Sequence, residues 1–181
     1  MAVIKFSQVT TGNFHRVLRL YMESFPPEER RDEAGLKQQL TWSACQVKAI
    51  EKEGQFAGLC IFWEFDDFLF VEHLATEPSL RGQGIGEGVM DLLRNQGAKP
   101  VLLEVEPPEN ETSRRRIGFY LRNGFFLLDK EYWQPSYDFI RPDLPLNLMC
   151  TQKDPGELRL DQWIGIVKEK VYGRDRPLKR Q

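Results

Sequence analysis

The sequence predicts an α+β fold, a mostly antiparallel mixed central sheet flanked by helices, with a glycine-rich loop between the fourth strand and the third helix. Three observations carry this. Apolar runs of strand length succeed one another between residues 46 and 75 with only short turns between them, which makes neighbouring strands antiparallel. Helically spaced apolar residues lie before and after these runs. Between Leu80 and Met90, LRGQGIGEGVM, four glycines (Gly82, Gly84, Gly86, Gly88) alternate with larger residues just before a helical pattern.

Taken in order, Met1 to Phe6 reads as a first strand, and Thr11-Gly12-Asn13 supplies turn and helix-start residues. Phe14, Val17, Leu18 and Tyr21 recur at helical spacing as far as Pro26-Pro27. Pro27 then opens a second helix, with Glu28 and Glu29 in its first turn, running toward Leu40. Gln46 to Glu51, Phe56 to Glu64 and Phe68 to Ala75 are strands joined by turns at Glu53-Gly54 and Asp66-Asp67. Past the glycine loop, Ile85, Val89, Leu92 and Leu93 keep helical spacing until Gly97, and Val101 to Val105 is a short buried strand. Ser113 to Asn123 is a helix carrying Ile117, Tyr120 and Leu121, closed by Gly124. Phe125 to Leu128 is a strand, Asp129 to Pro145 reads as irregular, Leu146 to Cys150 as a last strand and Leu158 to Val171 as a last helix. The basic tail GRDRPLKRQ reads as a solvated end.

With 181 residues, 41% hydrophobic and 29% charged, the chain has the composition of a globular protein with one domain or a domain and an extension. A net charge of -2 gives no support to a nucleic-acid or polybasic membrane role. The longest uninterrupted apolar stretch, Phe56 to Trp63, is far shorter than a bilayer requires, and MAVIKFSQ lacks a signal-peptide layout, so a cytoplasmic protein is expected. Cys45, Cys60 and Cys150 form no Cys-x-x-Cys pair. With His15 and His73 the only histidines, no zinc spacing exists, and buried reduced thiols are expected.

The glycine loop suits an anion, because glycine leaves no Cβ in the way and the first turn of a helix offers unpaired N–H donors. A dinucleotide fingerprint fails by spacing: counted from Gly82 it needs glycine at Glu87, and from Gly84 at Val89. A Walker loop fails for want of a Gly-Lys-Ser/Thr ending. The remaining pattern, Arg81-x-x-Gly84-x-Gly86, resembles the acetyl-CoA pyrophosphate loop of the GNAT superfamily of N-acetyltransferases. Arg116 to Phe126, RIGFYLRNGFF, is similar to that family's aromatic-Tyr helix and the turn after it. Phe25 to Arg30, FPPEER, looks like the break between its first two helices.

The resemblance covers roughly Ile4 to Leu128 and implies a single domain over 1–181, with a core at about 4–128 and a variable substrate-side and C-terminal extension at 129–181. It implies direct acetyl transfer from acetyl-CoA to a primary amine of a small molecule or peptide. The alternatives are an acyl-CoA-binding protein of this fold without catalysis and, from another class, a nucleotide-binding protein using the loop for a different phosphate. Arg81, Gly82, Gln83, Gly84, Ile85 and Gly86 would hold the pyrophosphate, and the backbone of Leu74 and Ala75 the pantetheine arm. Ser113 stands where many members have an asparagine contacting that arm, seven residues before the helix tyrosine.

That tyrosine, Tyr120, would protonate the departing thiolate, since a phenol is protonated at neutral pH; otherwise it is a core residue packing beside Phe119 and Phe125. Two glutamates compete as proton acceptor: Glu104 among the apolar residues of LLEVE, and Glu72 in FLFVEHLAT, with His73 expected on the opposite face of that strand. His73 is a third candidate, and deprotonation relayed through water needs no unique base. Either glutamate instead binds a cationic substrate or pairs with an arginine. Glu23, Glu28 and Glu29 would favour a cationic amine, and Tyr132, Trp133 and Tyr137 would wall a pocket. Exposed strands beside the variable ending would support a homodimer.

Overall fold

The computed structural model describes residues 3–174, so most of the basic tail, 175–181, lies outside the described residues. The chain divides into two compact units, Met1–Leu102 and Leu103–Gln181. Its strands make a mixed, mostly antiparallel sheet accompanied by helices, as the succession of short-turned strands requires.

In the first unit the order along the sheet is β1 (Ile4–Gln8), β2 (Cys45–Lys52), β3 (Gln55–Glu64) and β4 (Leu69–Thr76), each antiparallel to the next. β3 is buried without a break from Ala57 to Trp63, the mark of a central strand covered on both faces. Glu53 and Gly54, both at positive φ, make the tight turn between β2 and β3. Helix α1 (Phe14–Ser24) lays Val17, Leu20 and Tyr21 onto β3 and β4; Leu20, rather than Leu18, completes the buried stripe. It stops because Phe25, preceding Pro26, is forced into extended backbone.

The expected second helix from Pro27 to Leu40 is corrected to two pieces. Pro27–Glu29 makes one 3-10 turn, Arg30 is extended, and α2 (Glu33–Gln39) starts afresh where the Asp32 carboxylate accepts the Gly35 N–H at 2.8 Å. A true N-cap five residues after Pro27 outweighs the first-turn preference of Glu28 and Glu29. After β4, α3 (Ile85–Arg94) buries Ile85, Val89, Met90 and Leu93 and packs on β1 and β4.

β5 (Val101–Val105) begins in the first unit and ends in the second. In the second unit α4 (Glu111–Arg122) starts two residues earlier than expected, because Asn110 and Ser113 form a capping box. Its buried side is Ser113, Ile117 and Tyr120, whereas Leu121 is exposed. β6 is only Phe126–Leu127, and the stretch read as irregular contains β7 (Tyr132–Gln134) and the start of β8 (Leu144–Cys150). β8 pairs antiparallel with both β6 and β7, and α5 (Glu157–Lys170) buries Leu160, Trp163 and Val167. Two prolines, Pro135 and Pro145, and the three-residue length of β7 hid these strands from a period-2 search.

Candidate functional site

The first unit holds the glycine loop. β4 ends at Thr76, a 3-10 turn runs over Pro78–Leu80, and Arg81 is extended and exposed before the chain enters α3. Gly82 and Gly84 have φ of 75° and 76°, conformations that L side chains resist, and no atom lies within 4 Å of where a Cβ would sit at either. Gly84 is the N-cap of α3 and supplies no side-chain acceptor, so the first-turn N–H groups, from Ile85 onward, lack the usual cap. This arrangement fits an anion such as a pyrophosphate. Gly86 lies in the first turn of the helix. Gly88 has a separate cause: a Cβ there would lie 2.7 Å from Ile4 Cγ1, so it is the contact of α3 with β1 that excludes a side chain. Lys52, which sequence reasoning did not single out, donates from Nζ to Gln83 Oε1 at 2.6 Å and adds a cation beside the loop.

On β4, Leu74 and Ala75 pair with Cys60 and Leu59 of β3. The register of this pair slips by one: Ile61 faces His73, Phe62 faces Val71, and Glu72 is the extra residue of a β-bulge. The expectation that His73 points away from Glu72 is overturned here. Alternation fails across the bulge, and His73 Nδ1 lies 3.9 Å from the Glu72 carboxylate. Glu72 itself has a side chain with no exposure, salt-bridged to Arg31 and accepting from Gln39 Nε2 at 2.8 Å and Trp63 Nε1 at 2.7 Å. Of the alternatives open for Glu72, the structure shows pairing with an arginine. His73 Nε2 bonds the Glu29 carbonyl at 2.8 Å, its ring meets Tyr21 and Phe25 edge-on, and burial holds its pKa below the ordinary histidine value. The break after α1 is thereby fastened to the bulge by both residues.

The second unit holds Glu104, Ser113 and Tyr120. The Glu104 carboxylate accepts from two phenols, Tyr132 on Oε1 and Tyr172 on Oε2, the latter at 2.7 Å. Tyr132 and Tyr172 are each 4% exposed, and Tyr137 packs tilted against Tyr172 with ring centroids 5.1 Å apart. Burial first, and the neighbouring Glu104 charge second, push the Tyr132 phenol well above its ordinary pKa, so it stays a donor. Tyr120 is 9% exposed, between Phe119 at 5.2 Å and Phe125 at 5.4 Å, the packing expected for a core tyrosine on this helix. Ser113 Oγ accepts from Asn110 N at 3.2 Å and donates to Asn110 O at 3.0 Å. The hydroxyl expected at the pantetheine arm is thus engaged in capping α4.

Tyr172 gave no signal in the sequence, lying 68 residues from Glu104 at the end of a helix. From sequence Tyr132 reads only as a pocket wall. All three cysteines are free and buried, and burial raises the pKa of each thiol away from reactivity. No helix among the described residues is long and apolar enough to cross a membrane.

A family model described as "Acetyltransferase (GNAT) family" matches residues 14–125. Among curated proteins the chain is 33% identical over 105 residues to "Putative acetyltransferase YjbC" of Bacillus subtilis, across 57% of this chain and 53% of that one. The match thus spans about half of that relative's length. Among solved structures, a "Putative acetyltransferase from GNAT family" of Bacteroides thetaiotaomicron is 33% identical with a TM-score of 0.85, over 93% of this chain and 98% of that one. The ribosomal-protein-S18-alanine N-acetyltransferase of Escherichia coli shares the fold at 19% identity and a TM-score of 0.59, over 86% of this chain and 97% of that one.

Proposed function

We infer the function from membership: this chain belongs to the acetyltransferase (GNAT) family. We propose that it transfers an acetyl group from acetyl-CoA directly to the primary amine of a small molecule or peptide. The observation that carries this reading is the side-chain-free N-terminus of α3, with Gly82 and Gly84 at positive φ and open space around both. Such a terminus suits the pyrophosphate of CoA.

The loop from Arg81 to Gly86 holds the cosubstrate, with Lys52 adding positive charge beside it. The backbone of Leu74 and Ala75 on β4 aligns the pantetheine arm. Acetyl-CoA brings its acyl group as a thioester, and the chain's task is to move protons around the displacement. Glu104 takes one proton from the incoming ammonium. The freed amine nitrogen bonds to the thioester carbon, and the carbon–sulfur bond breaks. Tyr120 gives its phenolic proton to the departing thiolate, and the second amine proton replaces it; the proton on Glu104 passes to solvent. Glu72, saturated by Arg31, Gln39 and Trp63, serves structure in this scheme.

Calorimetric titration with acetyl-CoA, CoA, ATP and NAD, followed by an acetylation screen over polyamines, small amines and peptide N-termini, tests the reading. Binding by acetyl-CoA and CoA alone, with acetylation of an amine, is expected. Binding by ATP or NAD without CoA would overturn it.

A further inference from the structure

Glu104 is held from outside the family-matched segment. Its partners Tyr132 and Tyr172 lie on β7 and just past α5, whereas the family model ends at residue 125. Each carboxylate oxygen receives one phenol, so the side chain is fixed at both corners. The donors are themselves fixed: Lys168 Nζ lies 5.4 Å from the Tyr132 ring centroid, and Tyr137 backs Tyr172.

We propose that Tyr132 and Tyr172 are positioning residues for acetyl transfer, holding Glu104 in the one orientation in which it accepts the amine proton. The C-terminal extension is thereby part of the catalytic apparatus and not only a wall for the acceptor. This rests on the acetyltransferase reading above and on Glu104 as the proton acceptor.

The test is a double-mutant cycle on the full chain, with acetyl-CoA and an amine that the wild type acetylates. Tyr132→Phe and Tyr172→Phe keep their rings and are each expected to lower kcat roughly tenfold, the worth of one hydrogen bond to a charged group. KM for acetyl-CoA and the melting temperature stay near wild type. In a Glu104→Gln background, adding either Phe substitution lowers kcat no further, because the group it positions is gone. Full kcat in Tyr172→Phe and Tyr132→Phe, or an equal further loss in the Glu104→Gln background, would overturn the proposal while leaving the transfer reading intact. A wild type that binds acetyl-CoA and acetylates none of the amines screened would overturn both.

Discussion

Glu72 and Glu104 look alike in sequence, each a lone acid in an apolar strand, and their surroundings give them different work. Glu72 receives a guanidinium, an amide and an indole, and its side chain has no exposure. Removing one member of such a pair leaves a buried charge uncompensated, at a cost of about 3–5 kcal/mol. Glu72→Ala is therefore expected to lower the denaturation midpoint sharply, with any activity loss following the unfolded fraction. A variant of wild-type stability that has lost turnover would instead make Glu72 catalytic. Tyr120 belongs to the same scale: Tyr120→Phe keeps the packing against Phe119 and Phe125 and removes only the hydroxyl. Turnover is expected to fall roughly a hundredfold, with acetyl-CoA affinity nearly unchanged in calorimetry. Equal loss of both would count against the acid role. The glutamates as candidates were legible from the strands alone, but which of them carries the arginine was not. Arg31, Gln39 and Trp63 converge on Glu72 only after α2, the segment before it, β3 and β4 assemble, and a bulge that cancels strand alternation leaves no mark in a period-2 pattern.

The glycine loop and α3 form the element in which sequence and structure agree most closely, and even here the glycines divide by cause. Gly84 is required by its backbone: an alanine at a φ of 76° costs about 1–2 kcal/mol and tilts the N–H groups of the first turn. Gly88 is required by its neighbour, since a methyl group would press on Ile4 of β1, at about 1–3 kcal/mol for an overpacked contact. Gly84→Ala is accordingly expected to lower stability and weaken acetyl-CoA binding together. Gly88→Ala should lower stability alone, because the added methyl group meets Cβ as well as Cγ1 of Ile4. Measuring denaturation midpoints and calorimetric affinity on the two variants separates the causes. If Gly88→Ala weakened binding as much as Gly84→Ala, the two glycines would share one role. The alternation of glycines was visible in the sequence. The division was not, because the residue that Gly88 meets lies 84 positions earlier in the chain.

For the whole molecule, the question is what the segment after residue 128 contributes. The motifs that resemble the family end with the turn after Gly124, and the stretch beyond reads from sequence as irregular because its strands are short and broken by proline. The structure gives that segment β7, β8 and α5. Leu148, Met149, Cys150, Leu160, Trp163, Val167, Val171 and Tyr172 are all buried in it. At about 1.5–3 kcal/mol for each large apolar side chain withdrawn from water, their loss is as large as or larger than the roughly 5–15 kcal/mol by which a domain is usually stable. β6 would also lose β8, with which Phe126 and Leu127 pair through Cys150 and Met149. A chain ending at Leu128 therefore retains every residue of the acetyltransferase match and still should not fold: no cooperative melt, binding of a hydrophobic dye at neutral pH, and no acetyl-CoA affinity. A truncated chain that melted cooperatively and bound acetyl-CoA as the full one does would show the reverse. Residues 129–174 would then be an appendage, and the hold of Tyr132 and Tyr172 on Glu104 an ornament of the second unit.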